Sequence, residues 1–167
     1  MILSANQVLG RMAAVCVGWY AVIAAARYLP ADTALHGTAL AVHLLALAVG
    51  FGAVLTVDAT GLLTLAGRRS TAALLGTAAR AEPLIWGGFV ALAVSGVVLR
   101  PDLGTPLTAV NLVAALVAAL NGVWAGTLRA RVPATGPLPA ALVRMAVVSG
   151  CVSQLAWWTS ILVGTFG

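Results

Sequence analysis

Five long apolar runs, with nearly all formal charge confined to their ends, constrain this chain more than any motif in it. The run AVHLLALAVGFGAVLTVDATGLL, residues 41–63, is typical: it carries one aspartate and one histidine among residues suited to lipid. A bilayer core of about 30 Å is crossed by about 20 apolar residues in a helix. A helix is also the form in which a single segment satisfies its own backbone groups in hydrocarbon. Only 8% of the 167 residues are charged, against about a quarter in soluble domains, so a water-soluble fold is excluded. The fold class is therefore all-α, a polytopic membrane bundle of five transmembrane helices forming a single membrane domain over residues 1–167. No connecting segment is long enough to be a domain of its own.

Punctuation in the sequence sets approximate helix bounds. The first span covers about 7–28, after a Ser4-to-Gln7 capping-box pattern. Arg11, the apolar stretch behind it and Ala24-Ala25-Ala26 also fit a signal peptide with a small-residue cleavage site; the segment is read here as a retained span. The second covers about 37–66 and ends at Gly67-Arg68-Arg69. The third is expected over 83–99, with Pro83 in a favoured first-turn position and Glu82 complementing the helix N-terminus. The fourth, about 106–128, opens with Thr105 as cap and Pro106 as first residue. The fifth, about 139–163, follows the loop RVPATGPLP.

All nine basic residues are arginine, and the sequence pI is about 10.7. They form no basic stripe with interleaved aromatics, which argues against nucleic acid as a partner. With five spans, Arg11, Arg68, Arg69, Arg80, Arg129, Arg131 and Arg144 fall on one side, and Arg27 and Arg100 on the other. The positive-inside rule then places the N-terminus in the cytoplasm and the C-terminus outside. The location implied is a cell membrane crossed several times, a bacterial inner membrane in particular. Cys16 and Cys151 each lie within an apolar run without CxxC or Cys/His spacing, and read as small buried hydrophobes.

Helix association in lipid depends on close packing and interhelical hydrogen bonds. Small residues recur at spacing four: Gly10, Ala14 and Gly18 in helix 1, Ala48, Gly52 and Thr56 in helix 2, and a Gly122/Gly126 pair in helix 4. Such stripes serve internal packing or a homo-oligomer face. Asn111, Asn121 and Gln154 must face protein, a cofactor or water, because an unpartnered amide is expensive in hydrocarbon. Trp86 and Trp124 suit the cytoplasmic interface. Trp19, Tyr20, Trp157 and Trp158 lie deeper, where aromatics fill volume or wall a flat cofactor pocket.

Helix 2 carries the most informative polar pattern. At about 100° per residue, His36, His43, Gly50, Asp58 and Gly61 share one face. His36 and His43 are about 10 Å apart along the axis, and His43 and Asp58 about 22 Å, so none of them pairs directly. Asp58 at this depth requires a protein partner, and Arg11 lies at a similar depth. A neutral His43 can be satisfied by one interhelical hydrogen bond, or it can serve as the axial ligand of a haem in a groove left by the glycines. That groove equally suits a neighbouring helix. His36 and His43 project from one side of one helix, so ligation by two histidines needs His43 of a second subunit.

The segment LHGTALAVHLLALAVGFGAVL resembles the histidine-bearing helix of small bacterial membrane proteins of the copper-resistance D and HemJ-like group. The shared features are a Leu-His start and a following small-residue patch, here Gly50 and Gly52; Val49 stands where the group has a tryptophan. The resemblance implies a helical bundle that binds haem, haem b among the candidates, or a metal ion. His43, with His36 second, is the residue it singles out.

No Ser/His/Asp arrangement, paired acids, HExxH, Walker-type lysine or CxxC occurs in the chain. Three functions remain. One is a haem-binding or redox-related membrane protein with His43 as axial and metal ligand, lined by His36, Gly50, Trp19, Tyr20 or Trp157. Another is an oligomeric proton- or cation-linked transporter using Asp58 and His43. The third is a non-catalytic accessory subunit of a larger membrane complex, in which Asp58, Arg11, Asn111, Asn121 and Gln154 are packing devices.

Overall fold

A computed structural model describes residues 4–28, 33–133 and 138–166. Its elements are five α-helices: α1 (Ala5–Tyr28), α2 (Thr33–Leu65), α3 (Thr71–Leu99), α4 (Pro106–Ala130) and α5 (Ala140–Phe166). Each is long and apolar enough to cross a membrane, and no strand occurs among the described residues. The all-α, five-helix membrane reading therefore holds. Residues 134–137 of the RVPATGPLP loop lie outside the described residues.

Local chemistry explains where the helices start and stop. Ser4 and Gln7 form the reciprocal capping box, with Ser4 N–H donating to Gln7 Oε1 at 2.8 Å and Gln7 N–H to Ser4 Oγ at 3.3 Å. Thr105 caps α4 by accepting from the Thr108 N–H at 3.2 Å, and Pro106 follows as a first-turn residue. After α2, Gly67 takes φ +71°, the left-handed conformation in which glycine has no Cβ penalty. The N–H groups of Arg68 and Arg69 then close back on the Leu63 carbonyl at 2.8 and 3.2 Å.

The third helix corrects the sequence expectation. It starts at Thr71, not at Pro83, and both Pro83 and Glu82 lie inside it. The reason is local: Ser70 accepts from the Ala73 N–H at 3.1 Å, and TAALLGTAARAE is rich in good helix formers. Pro83 removes one backbone donor without ending the helix, so the connection shrinks from the expected 67–82 to residues 66–70. Helix α2 likewise begins at Thr33, about one turn before the expected residue 37.

The chain divides into two units, one holding α2 and α3 and the other α4 and α5. In the first, the buried small residues repeat every seven positions, Ala39, Ala46 and Ala53 on α2 and Ala81, Gly88 and Ser95 on α3. A seven-residue repeat keeps one seam facing a partner along a helix pair. Small residues along that seam let the two backbones approach closely, which is the main source of attraction between helices in lipid. The seam is tightest at Gly88, where an added Cβ would meet Gly50 Cα at 2.7 Å and the Ala46 carbonyl oxygen at 2.9 Å.

The second unit repeats the principle with different residues. Leu142, Ser149 and Ala156 of α5 are buried at the same spacing, and Ala114 and Leu128 of α4 are buried opposite them. Between those two alanine and leucine layers, Asn121 donates from Nδ2 to the Ser149 carbonyl at 2.9 Å and accepts from Ser149 Oγ at 3.0 Å. One turn of polar chemistry is thereby closed on itself within an apolar seam.

Candidate functional site

His43 is half-buried on α2 and faces α3, where its Nδ1 lies 2.9 Å from Ser95 Oγ. Ser95 continues the Ala81–Gly88 series of α3, and it is buried. Gly96 lies beside the ring, since a Cβ built on Gly96 would stand 3.9 Å from His43 Cε1. That is ordinary van der Waals contact, so an alanine at Gly96 would pack against the ring without displacing it.

The hydrogen bonds assign the proton on the ring. A serine hydroxyl has a single proton, and Ser95 Oγ lies 2.6 Å from the Ala91 carbonyl and 3.2 Å from the Leu92 carbonyl. The shorter contact takes that proton, so toward His43 the oxygen accepts and Nδ1 carries the hydrogen. Nε2 is then the unprotonated nitrogen, with its lone pair available. Among the described residues no buried side-chain nitrogen or oxygen lacks a partner, and the hydrogen bond of His43 is made by Nδ1. Nε2 is therefore not a fully buried atom left without a partner. An imidazole fixed through Nδ1–H with Nε2 bare is the arrangement in which histidine serves as a metal ligand.

The other residues singled out from sequence fall in different places. Gly50, offered by the sequence as a cofactor groove or as a helix contact, is a helix contact: a Cβ there would meet Gly88 Cα at 3.3 Å, so α3 fills the space. His36 is exposed, one end of α2 away. Asp58 is half-buried and has an interaction partner. Arg11 is exposed on α1.

Trp19, Tyr20 and Trp157 belong to the other unit. Trp157 is buried on α5, and Tyr20 is exposed. Gln154 accepts from Trp158 Nε1 at 3.1 Å within α5. Asn111 accepts a hydrogen bond from Ser160 Oγ across the α4–α5 seam, so both asparagines of α4 act as interhelical ties. Trp124 meets the Arg131 guanidinium 5.6 Å from its ring centroid, an amphipathic pairing suited to a membrane interface. The two cysteines are exposed, not buried, because each sits on an outward face of its helix.

Ser95 is the site residue that sequence reasoning missed. The signal is present, since Ala81, Gly88 and Ser95 form a small-residue series of period seven, but it spans Pro83, which carries the chemistry of a helix start. An apolar groove of about 710 Å³ also runs along α2 and α3, with Thr38, Val42, Trp86, Val94 and Ser95 in its walls. His43 does not line it.

Among the described residues no three His, Cys, Asp or Glu side chains gather as a metal cluster. A bare ion would find one protein donor at His43, whereas haem brings its own four equatorial nitrogens and takes an axial imidazole. No family model, no curated protein and no solved structure matches the chain.

Proposed function

We propose that this five-span membrane protein binds haem through His43. The observation that carries the reading is the Nδ1···Ser95 Oγ contact of 2.9 Å with Ser95 committed to Ala91, which leaves Nε2 as a lone-pair donor. In this reading Ser95 holds the tautomer and ring plane, and bound haem supplies electron transfer or ligand chemistry at iron. The resemblance of helix 2 to the copper-resistance D and HemJ-like group points the same way. We place the N-terminus in the cytoplasm on the arginine distribution, seven against two.

The test is an absorption spectrum of detergent-purified chain titrated with haem. A saturable Soret band that is lost in His43→Ala and kept in His36→Ala supports the assignment. Absence of any saturable band in the folded wild-type protein overturns it.

One observation favours a second reading, an accessory subunit in which His43 is purely a structural tie. Asn121 and Ser149 make a comparable polar contact across the other helix pair, with no spare donor. On that reading His43→Asn, which preserves a hydrogen-bonding group, retains full stability, and haem titration yields no saturable band.

A further inference from the structure

Two contacts fix the register of the antiparallel α2–α3 pair: His43 opposite Ser95 and Gly50 opposite Gly88. Continuing that register along both helices brings Asp58 level with Arg80, with Glu82 half a turn away on α3. At the opposite end, His36 and Arg100 close the apolar stretch. His36 to Asp58 is about 33 Å along α2, and Arg80 to Arg100 about 30 Å along α3, at 1.5 Å per residue. Both match the thickness of a bilayer hydrocarbon core, about 30 Å. The charged level at Asp58 and Arg80 is thus one boundary of that core.

Beyond it the helices do not stop. α2 continues for seven residues to Leu65, and α3 begins nine residues before Arg80, at Thr71. This tip extends about 10–14 Å past the charged level, which is more than the headgroup layer of about 5–7 Å on each side. Its chemistry is mixed. Leu62 and Leu65 are 68% and 55% exposed, and Arg68 and Arg69 are exposed in the turn. Arg80 reaches toward them: a Cβ built on Gly76, one turn nearer the tip, would lie 3.5 Å from Arg80 Nη1. A long basic side chain extending from the hydrocarbon boundary into the polar layer is snorkelling.

We infer that the α2–α3 tip is a binding site for an anionic phospholipid. Arg80 supplies positive charge at the hydrocarbon boundary and Arg68 and Arg69 supply it at the outer edge of the headgroup layer, and Leu62, about 6 Å beyond the charged level, adds an apolar surface between them. Charge complementarity selects the occupant, since three arginines against the carboxylates of Asp58 and Glu82 leave this end of the helix pair net positive, which favours a headgroup bearing net negative charge. A zwitterionic headgroup presents its own cation to the same surface and gains less. This inference is independent of His43 and of haem.

The experiment uses full-length chain in a neutral detergent, with acyl-labelled phosphatidylglycerol and phosphatidylcholine of identical chains followed by fluorescence anisotropy. Phosphatidylglycerol is expected to bind on the order of tenfold more tightly, and the gap to narrow as sodium chloride is raised. R68Q/R69Q/R80Q is expected to remove most of the preference, while R68K/R69K/R80K, which keeps the charge, retains a substantial part of it. Equal binding of both lipids by the wild type, or an undiminished preference in the glutamine variant, overturns the inference. Displacement of the labelled lipid by an equal concentration of inorganic phosphate also overturns it, by making the tip a small-anion site. Should the glutamine variant fail to fold, the salt and phosphate titrations of the wild type decide the matter.

Discussion

Gly88 of α3 lies so close to Gly50 of α2 that a methyl group on it would come within 2.7 Å of the Gly50 Cα. The obstructing atoms are backbone, including the Ala46 carbonyl oxygen at 2.9 Å and the Gly50 nitrogen at 3.0 Å, so no rotamer change relieves the clash. Gly88→Ala is expected to force the helices apart and destabilise the protein by about 1–3 kcal/mol, the range for overpacking a close contact. Gly50→Ala, meeting Gly88 Cα at 3.3 Å, should be milder. Gly52→Ala, with nothing within 4 Å of the new Cβ, should be neutral or stabilising, because alanine is the better helix former. Thermal unfolding in one detergent ranks the three, and a Gly88→Ala protein as stable as Gly52→Ala would contradict the contact.

The tie between His43 and Ser95 should be measurable as a coupling. Interhelical hydrogen bonds in membrane proteins average about 0.6 kcal/mol, with the largest near 1.7. A double-mutant cycle of His43→Ala and Ser95→Ala is expected to give a coupling within that range. Ser95→Ala alone should be mild, within the range of a single interhelical hydrogen bond. If haem binds, Ser95→Ala should weaken it by about 10-fold to 100-fold, the usual effect of losing a group that orients a ligating histidine. A cycle with zero coupling would mean that the two side chains do not bond in the membrane.

Asn121 and Ser149 make two hydrogen bonds, one through the Ser149 backbone carbonyl and one through its hydroxyl. Ser149→Ala removes only the second, so Asn121 keeps its Nδ2 bond; Asn121→Ala removes both. Asn121→Ala is therefore expected to be the more damaging, by about 0.5–1 kcal/mol. Equal losses in steric-trap or detergent unfolding would show that the backbone carbonyl bond does not form.

Much of this was legible in the sequence because apolar length is a one-dimensional signal. Five spans, the Ser4–Gln7 box and the Thr105–Pro106 start all depend on neighbours within one turn. The start of α3 was not legible, because Pro83 and Glu82 carry the chemistry of a helix beginning, and only the Ser70 cap with its run of helix formers overrides them. The site was partly legible. His43 could be placed on a face with Gly50, but what occupied the groove depended on α3, and the matching Gly88 and Ser95 became visible only once α3 was continuous through Pro83. The exposure of Cys16 and Cys151 likewise depended on which faces the neighbouring helices cover.

Arg100 ends α3 with φ 51° and ψ 68°, the sole non-glycine residue with positive φ among those described. Its N–H still bonds the Gly96 carbonyl at 3.2 Å, so the conformation closes the helix just ahead of Pro101. An L-residue in the left-handed region costs about 1–2 kcal/mol from the crowding of Cβ against the carbonyl oxygen, and glycine escapes it. Arg100→Gly is therefore expected to be more stable than Arg100→Ala by about 1 kcal/mol, with both lacking the charge, so that the difference isolates the backbone. Glycine also gains freedom in the unfolded chain, which trims this advantage without reversing it. Unfolding midpoints of the two variants in the same detergent test the point, and an alanine variant at least as stable as the glycine variant would place Arg100 outside the left-handed region.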